Sequence, residues 1–284
     1  MFMPPALSER MPPPELRIIK LRDLIPHEMV IHKHIAELLE SIKHDETQGD
    51  PIIVDRASLV VLDGTHRLQA LILAGAIFAV VCLVDYDSVG IGRWLRCVAN
   101  WTPKHLAETS KLESLVMISP PSRALRMVEN CETAFGLYSE QEAYVSNRSF
   151  NDIVEAYLLA EQIERILRLR QIQFSFIPDS TNTGDISSFS SAQTILYTPQ
   201  IEKTDVLHNA ILGRLFPPRS TRHVLSVRPV GIDFPLAVLR MREGSLGAAN
   251  RVLTSKLGKI SPKLLPHGGT YHGRTYEEPL LLYD

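Results

Sequence analysis

The chain has 284 residues, a length typical of about two domains and sufficient to bury a large core without disulfides. Hydrophobic residues make up 45% and charged residues 22% of the sequence, which excludes a wholly disordered, collagen-like or coiled-coil chain. The 30 Lys and Arg residues nearly balance the 32 Asp and Glu residues, leaving a formal net charge of -2. Proteins that grip DNA or anionic lipid usually carry a basic excess, so we expect neither partner.

The cysteines and the N-terminal residues indicate a cytoplasmic protein. Cys82, Cys97 and Cys131 are odd in number and far apart, which predicts neither a disulfide framework nor a zinc site. Residues 1–14 contain prolines but no apolar run of signal-peptide length, so we expect a flexible tail. The run Leu68–Val84 carries no charge, yet Gly75 divides it, which favours a buried helix and strand over a membrane span.

Strand and helix signals alternate through the first predicted domain, residues 15–105. Hydrophobic periodicity indicates the elements in chain order, a strand over Leu16–Leu24, a helix over His34–Lys43, short strands over Ile52–Val54 and Ser58–Leu62, a helix over His66–Ala74 and a strand over Ile77–Val84. The order predicts an α/β (α+β) fold.

The sequence pattern changes near Trp101, after which helix signals alternate with polar loops and prolines. This change predicts a second α/β domain over residues 106–240. Apolar spacing over Asn151–Arg170 predicts its longest helix. Residues 179–191 are rich in serine and predict an inserted loop. We expect residues 241–284 to form a C-terminal extension, for which the sequence indicates no role.

The stretch Leu59–Arg67 contains the strongest chemical signal. It predicts a buried strand, then a tight turn at Gly64, then the start of a helix. This arrangement suits phosphate, because a glycine has no Cβ to block the anion and the first N–H groups of a helix point outward. An arginine in that turn can form a bidentate bond to phosphate. The candidate nucleotide-binding residues are Gly64, Thr65, His66 and Arg67. The alternative is an ordinary Asp-Gly turn with a solvated arginine.

Several motifs occur in the order found in the ParB/sulfiredoxin-like fold. They are Pro26-His27-Glu28, Leu38-Leu39-Glu40-Ser41-Ile42, Pro51-Ile52-Ile53-Val54, Asp63-Gly64-Thr65-His66-Arg67 and Ala70-Leu71. Within that fold the chain resembles the free L-serine kinases, the SerK-like and SbnI-type enzymes, the latter from siderophore pathways. A second stretch, Phe216–Leu225 followed by Arg228-Pro229, resembles the family's Phe-x-Pro-Lys-Thr-Thr-Arg-His-Val-Leu segment. The resemblance covers roughly residues 16–235.

The same motifs separate the chain from other proteins of this fold. Sulfiredoxin needs a cysteine where this chain has Thr65, which offers no thiolate. Chromosome-partitioning relatives carry Gly-Glu-Arg-Arg in the loop, bind CTP and continue into a basic helix-turn-helix, whereas this chain has a different loop and a slight acidic excess.

The resemblance implies a kinase that transfers a phosphoryl group from ATP or ADP to the hydroxyl of free L-serine, giving O-phospho-L-serine. Glu28 is then the catalytic base, since a serine hydroxyl needs a carboxylate to take its proton. Asp63 is the second catalytic candidate, as a Mg²⁺ ligand or by orienting the phosphoryl group. The alternatives are that Glu28 caps the following helix and that Asp63 only stabilises a turn.

The resemblance also assigns residues to the amino acid. The candidate substrate-binding residues are Ser41, Trp94, Thr221, Arg222 and His223. An arginine and a hydroxyl suit the carboxylate of a small zwitterion. The alternatives are a solvated serine, a core tryptophan and a polar cluster at a strand end. His27, His32 and His34 fit no standard metal spacing, and we expect surface histidines there.

We expect the site to lie in a cleft between the two domains, which excludes water as a competing acceptor. Two alternatives stay open, a ParB-like nucleotide-binding regulator without catalysis and a kinase for another small hydroxyl substrate. Two departures from the family favour these alternatives. Thr65 replaces a family histidine, and residues 241–284 extend beyond the length of the archaeal-type kinases.

Overall fold

The computed structural model describes residues 14–110, 115–179 and 193–283. Its strands in chain order are β1 (Glu15–Lys20), β2 (Ile25–Pro26), β3 (Thr47–Gln48), β4 (Ile52–Asp55), β5 (Val60–Asp63), β6 (Phe78–Val84), β7 (Gly90–Ala99), β8 (Leu115–Ile118), β9 (Gly136–Tyr138), β10 (Ala143–Ser146), β11 (Ser175–Pro178), β12 (Gln193–Tyr197), β13 (Thr221–Val224), β14 (Arg228–Val230), β15 (Phe234–Pro235), β16 (Lys263–Leu265), β17 (Thr270–Tyr271), β18 (Arg274–Thr275) and β19 (Leu280–Leu282). Its α-helices are α1 (His32–Asp45), α2 (Thr65–Leu73), α3 (Pro103–Ser110), α4 (Pro121–Glu129), α5 (Ile153–Leu169), α6 (Lys203–Ile211), α7 (Leu236–Leu239) and α8 (Leu246–Leu257).

The described residues pack as two units. The first unit takes its residues from 1–25, 32–89 and 225–284, and the second from 26–31 and 90–224. The boundaries between the units fall near residues 89 and 224, whereas the sequence predicts domain boundaries near 105 and 240. The nucleotide-binding and substrate-binding roles given to the predicted domains stay predictions. The expected flexible tail, apart from Pro14, and the inserted loop, apart from Asp179, lie outside the described residues.

The first unit is built on a five-stranded sheet in the order β1-β6-β4-β5-β2. Strand β6 pairs antiparallel with β1 and parallel with β4, and its residues from Phe78 to Leu83 are buried. Continuous apolar strands such as Ile52–Val54 suit this central position because both faces of the sheet are covered. The predicted strands and helices are confirmed here, except that β1 ends at Lys20 and a short 3-10 turn follows.

The uncharged run Leu68–Val84 forms most of α2 and the whole of β6. Gly75 separates them with a φ of 77°, a left-handed conformation that favours glycine. The helical half is therefore too short to span a bilayer. Among the described residues no helix is long and apolar enough to cross a membrane.

Residues beyond 240 complete the first unit. Strand β19 lies between β14, to which it is parallel, and β16, to which it is antiparallel. Helix α8 contacts β1, where the Asn250 side chain accepts a hydrogen bond from Ile18 N and donates one to Ile18 O. The amide thereby satisfies backbone groups on the outer edge of the sheet, as a neighbouring strand would.

Asn250→Ala should lower the free energy of unfolding by about 1–3 kcal/mol, because it leaves the Ile18 backbone groups without their partner. The matched control is Thr254→Ala on the same helix, which removes an exposed hydrogen bond to Asn250 O and should change stability by no more than about 0.5 kcal/mol. Urea unfolding measures both. Equal losses would show that the side chain of Asn250 does not hold β1.

The second unit contains a seven-stranded sheet in which β7 pairs with three other strands. The strands run β11-β7-β12-β9-β10-β8, and β13 also pairs with β7. Helix α5, predicted over Asn151–Arg170, packs its apolar face on a core that includes Phe135 and Leu196. Its buried Glu164 accepts a hydrogen bond from Arg96 Nε of β7 at 2.6 Å, which satisfies the charge of both groups inside the unit.

Candidate active site

The predicted phosphate turn has the expected backbone geometry. Strand β5 ends at Asp63, α2 begins at Thr65, and Gly64 between them has a φ of 101°. A Cβ at Gly64 would lie 3.0 Å from Arg67 Nη1 and 3.4 Å from the Ile52 Cα, so the position is both strained and crowded for other residues. The first turn of an α-helix directs its N–H groups outward, so the start of α2 is an arrangement suited to an anion.

The side chains around the turn are already engaged. Arg67 Nη1 donates to Pro51 O at 2.9 Å, and Arg67 Nη2 lies 3.7 Å from Asp50 Oδ2. A guanidinium has five N–H groups, so these contacts fix Arg67 and leave donors for a ligand. The half-buried His66 ring lies 5.4 Å from that of His34, and Thr65 is buried.

Asp63 lies among three guanidinium groups. Its Oδ2 accepts a hydrogen bond from Arg228 Nη1, while Arg228 Nε donates to Glu278 Oε1. Arg228 and Arg274 contact the same ring, that of Tyr276, with guanidinium carbons 5.9 Å and 4.6 Å from its centroid. This part of the first unit is therefore held by residues from the C-terminal extension.

The charges around Asp63 set its protonation. Burial raises the pKa of Asp63, but the positive charges of Arg228, Arg67 and Arg274 outweigh that effect and hold the pKa well below its usual value. The lowered pKa keeps this carboxylate ionised at neutral pH. Its side chain is 41% exposed and therefore accessible. The three arginines also favour the approach of a phosphate.

A magnesium ion fits this turn only in company with a nucleotide. No group of three or more His, Cys, Asp or Glu side chains that could hold a metal occurs in the part of the chain that the structure describes. Mg²⁺ commonly binds one or two carboxylates together with substrate phosphates. Asp63 could supply the carboxylate, because the described contacts engage its Oδ2 and leave Oδ1 open.

Glu28 is the centre of a second cluster, within the second unit. Met29 N donates to Phe216 O at 2.8 Å and Phe216 N donates to His27 O at 2.9 Å, which brings Glu28 beside residues 219–221. Its Oε1 accepts from Ser220 N, Thr221 N and Thr221 Oγ1, and its Oε2 accepts from Arg219 N, at distances between 2.7 and 3.1 Å. These contacts join Glu28 to the Thr221 segment, largely through backbone donors.

The hydroxyl of Thr221 links Glu28 to His27. His27 Nε2 lies 2.8 Å from Thr221 Oγ1, and the same hydroxyl donates to Glu28 Oε1. The Thr221 hydroxyl has one proton, so we assign the proton of its contact with His27 to Nε2. The expectation of a surface histidine is wrong for His27, whose ring is 2% exposed because it packs between Thr221 and His223, the latter ring 5.3 Å away.

The other predicted substrate residues lie elsewhere. Side chains alternate along β13, so Arg222 points to the face opposite Thr221 and His223. Its guanidinium carbon lies 5.8 Å from the centroid of the Trp94 ring, a cation–π contact. Ser41 is exposed on α1 of the first unit, and its hydroxyl donates to Asp45 Oδ2 at 3.0 Å. The structure thus groups Thr221 and His223 with Glu28, and Arg222 with Trp94.

Sequence comparisons find relatives over most of the chain, although no family model matches it. A ParB-like protein of Sulfolobus acidocaldarius is 27% identical over 214 residues, 74% of this chain and 90% of that protein. The ADP-dependent L-serine kinase SerK of Thermococcus kodakarensis is 22% identical over 78% of this chain and 91% of its own length. An ATP-dependent L-serine kinase of Staphylothermus marinus is also 22% identical, over 78% of this chain and 90% of its own.

Solved structures agree with these relatives. A free serine kinase in complex with AMP superposes with a TM-score of 0.66 and 21% identity, covering 83% of this chain and 98% of that one. The chain has the fold of the free serine kinases. SbnI of Staphylococcus aureus, truncated at its C-terminus, matches with a TM-score of 0.65 and 17% identity over 85% of this chain and 96% of its own. The expected resemblance and the α/β, ParB-like fold class are confirmed.

Sequence reasoning missed several residues of both clusters. Arg274, Tyr276 and Glu278 lie in a polar, glycine-rich segment with no motif, and Arg219 and Ser220 take part through backbone N–H groups, which any residue type provides. For His27 a signal was present, since it belongs to the Pro26-His27-Glu28 motif of the serine kinase fold.

Thr221→Val should lower the free energy of unfolding by about 1–3 kcal/mol, because it removes the hydroxyl that satisfies both Glu28 Oε1 and His27 Nε2. Thr221→Ser keeps that hydroxyl and should retain most of the stability. Chemical denaturation of the two variants beside the wild type measures the difference. If Thr221→Val is as stable as Thr221→Ser, the hydroxyl does not link His27 to Glu28.

Proposed function

We propose that this protein is an amino-acid kinase that transfers a phosphoryl group from ATP or ADP to the hydroxyl of free L-serine, giving O-phospho-L-serine. The observation that carries the proposal is the Asp63-Gly64 turn, where a helix N-terminus and the surrounding arginines suit the phosphates of a nucleotide. The names of the relatives from Thermococcus kodakarensis and Staphylothermus marinus, both L-serine kinases, support the choice of acceptor and leave both donors possible.

The phosphate turn would hold the donor. In this proposal the backbone N–H groups after Gly64 bind phosphate oxygens together with His66 and Arg67. Asp63 Oδ1 is the position for a nucleotide-bound Mg²⁺, which would neutralise charge on the phosphates. Arg228 and Arg274 add positive potential beside the turn and so favour a polyanion.

Glu28 would act as the general base. Its Oε1 already accepts three hydrogen bonds, whereas Oε2 accepts one, from Arg219 N at 3.1 Å. We therefore assign proton acceptance from the serine hydroxyl to Oε2, which keeps an acceptor site. The contacts of Oε1 hold the carboxylate in a fixed orientation, an advantage for a base that must meet one hydroxyl in one geometry.

The amino acid would contact the segment that holds Glu28. Thr221 and His223 lie on the face of β13 that meets His27, and Glu28 accepts from the Thr221 hydroxyl, so they are the first candidates to position serine. The roles proposed for Arg222, Trp94 and Ser41 rest on the sequence resemblance alone.

A second candidate function is a nucleotide-binding regulator without catalysis. The observation that favours it is the engagement of Glu28 by four hydrogen bonds, which is also what a purely structural carboxylate would show. This candidate shares the phosphate turn with the kinase but requires no phosphorylated product.

One incubation separates the two functions. Purified protein is mixed with Mg²⁺, ATP or ADP, and a panel of free amino acids and other small alcohols, and mass spectrometry identifies any phosphorylated product. The kinase proposal predicts O-phosphoserine from L-serine, with a preference for one donor. Nucleotide binding without any product would favour the regulator, and phosphorylation of another hydroxyl would change the substrate.

Glu28→Gln should lower kcat by about 10²- to 10⁴-fold and leave ADP affinity intact, because the amide cannot take the serine proton. The matched control is Glu202→Gln, a second carboxylate of the same unit that accepts from a backbone N–H, in the capping box of α6. Steady-state kinetics of both variants should show a loss only at Glu28. Unchanged turnover in Glu28→Gln would remove this residue from the mechanism.

A further inference from the structure

A hydrogen-bonded series of three charged side chains, Glu278, Arg228 and Asp63, connects the C-terminal extension to the phosphate turn. Glu278 Oε1 accepts from Arg228 Nε, and Arg228 Nη1 donates to Asp63 Oδ2. The side chains of Glu278 and Arg228 are 9% and 10% exposed, whereas that of Asp63 is 41% exposed. The series thus runs from a buried carboxylate, that of Glu278, to an accessible one, that of Asp63, with Arg228 between them.

Glu278 limits how Arg228 can bind Asp63. An arginine fork with a single carboxylate partner tends to bind both of its oxygens. Here Glu278 accepts from Arg228 Nε, and among the described contacts Arg228 meets Asp63 only through the hydrogen bond from Nη1 to Oδ2. These contacts leave Asp63 Oδ1 without a hydrogen bond.

The backbone keeps Glu278 in place. Arg228 N donates to Pro279 O at 2.9 Å, and the parallel pairing of β14 with β19 begins at Arg228 and Leu280. The Tyr276 ring, two residues before Glu278, packs against the guanidinium of Arg228. The backbone that carries Glu278 is therefore paired directly with the backbone that carries Arg228.

We propose that Glu278 is a positioning residue, which draws Arg228 away from a two-oxygen pairing with Asp63 and so keeps Asp63 Oδ1 free for the cation that accompanies a nucleotide. The inference deepens the proposed function and rests on it for the identity of the ligand. It gives residues of the extension a part in binding at the phosphate turn.

Glu278→Gln tests this inference, because the amide keeps the shape of the side chain and loses the charge that competes for Arg228. Affinity for ADP is measured by calorimetry with and without Mg²⁺. We expect binding with Mg²⁺ to weaken by about 10- to 100-fold and binding without Mg²⁺ to stay unchanged. Equal affinities in the presence of Mg²⁺, or an equal loss with and without it, would overturn the proposal.

Glu164→Gln is the matched control for burial. Glu164 is a buried glutamate of the second unit that likewise accepts from an arginine Nε, that of Arg96. Thermal unfolding of both variants identifies the folded temperature range in which binding is compared. If Glu164→Gln loses Mg²⁺-dependent ADP affinity to the same extent, the effect of Glu278→Gln is one of general stability and the proposal is wrong.

Glu278→Asp covers the case in which the amide variant fails to fold, and it should retain more Mg²⁺-dependent affinity than Glu278→Gln because it keeps the charge. An aspartate no better than the glutamine would count against the inference. Binding and turnover also separate the two proposals. Wild-type protein that binds Mg²⁺-ADP but phosphorylates no serine contradicts the proposed function alone, whereas wild-type protein that does not bind ADP contradicts both.

Discussion

The first unit depends on the neutralisation of one buried guanidinium, that of Arg228. A buried arginine stays charged, so the fold must bring carboxylates to it, and it brings two that are more than 200 residues apart in the sequence, Asp63 and Glu278. Asp63 closes the strand that leads into the phosphate turn, and Glu278 precedes the strand that pairs with β14. Because the Arg228 guanidinium needs both carboxylates, it joins the phosphate turn to the C-terminal extension.

In the second unit the two carboxylate oxygens of Glu28 are engaged unequally. Its Oε1 holds the backbone of residues 220 and 221, while Oε2 has capacity for a further donor. A general base needs fixed orientation as much as an available lone pair, and the contacts that fix this carboxylate leave that lone pair open. The structural interpretation of Glu28 and the catalytic one therefore describe different oxygens of one group.

The elements predictable from the sequence are those with a strong local pattern. Ile52–Val54 and Ile77–Val84 are continuous apolar runs, and Asp63-Gly64 is a turn-forming pair, so a few neighbouring residues were enough to predict each element. The pairing of Glu278 with Arg228 was not visible, because it joins polar residues far apart in sequence. The burial of His27 was missed for the same reason, since Thr221 and His223 cover it from the other end of the second unit's sequence.

The closure of the first unit by β19 has a consequence for how the protein is made. Domains tend to fold as units while the chain emerges from the ribosome. Here the three-stranded sheet of the first unit lacks β19, the strand that pairs with β14 and β16, and Arg228 lacks its second carboxylate, until residues 278–282 have been synthesised. The second unit, whose residues end at 224, is complete earlier in translation and can fold while the first unit still waits for its remaining strand.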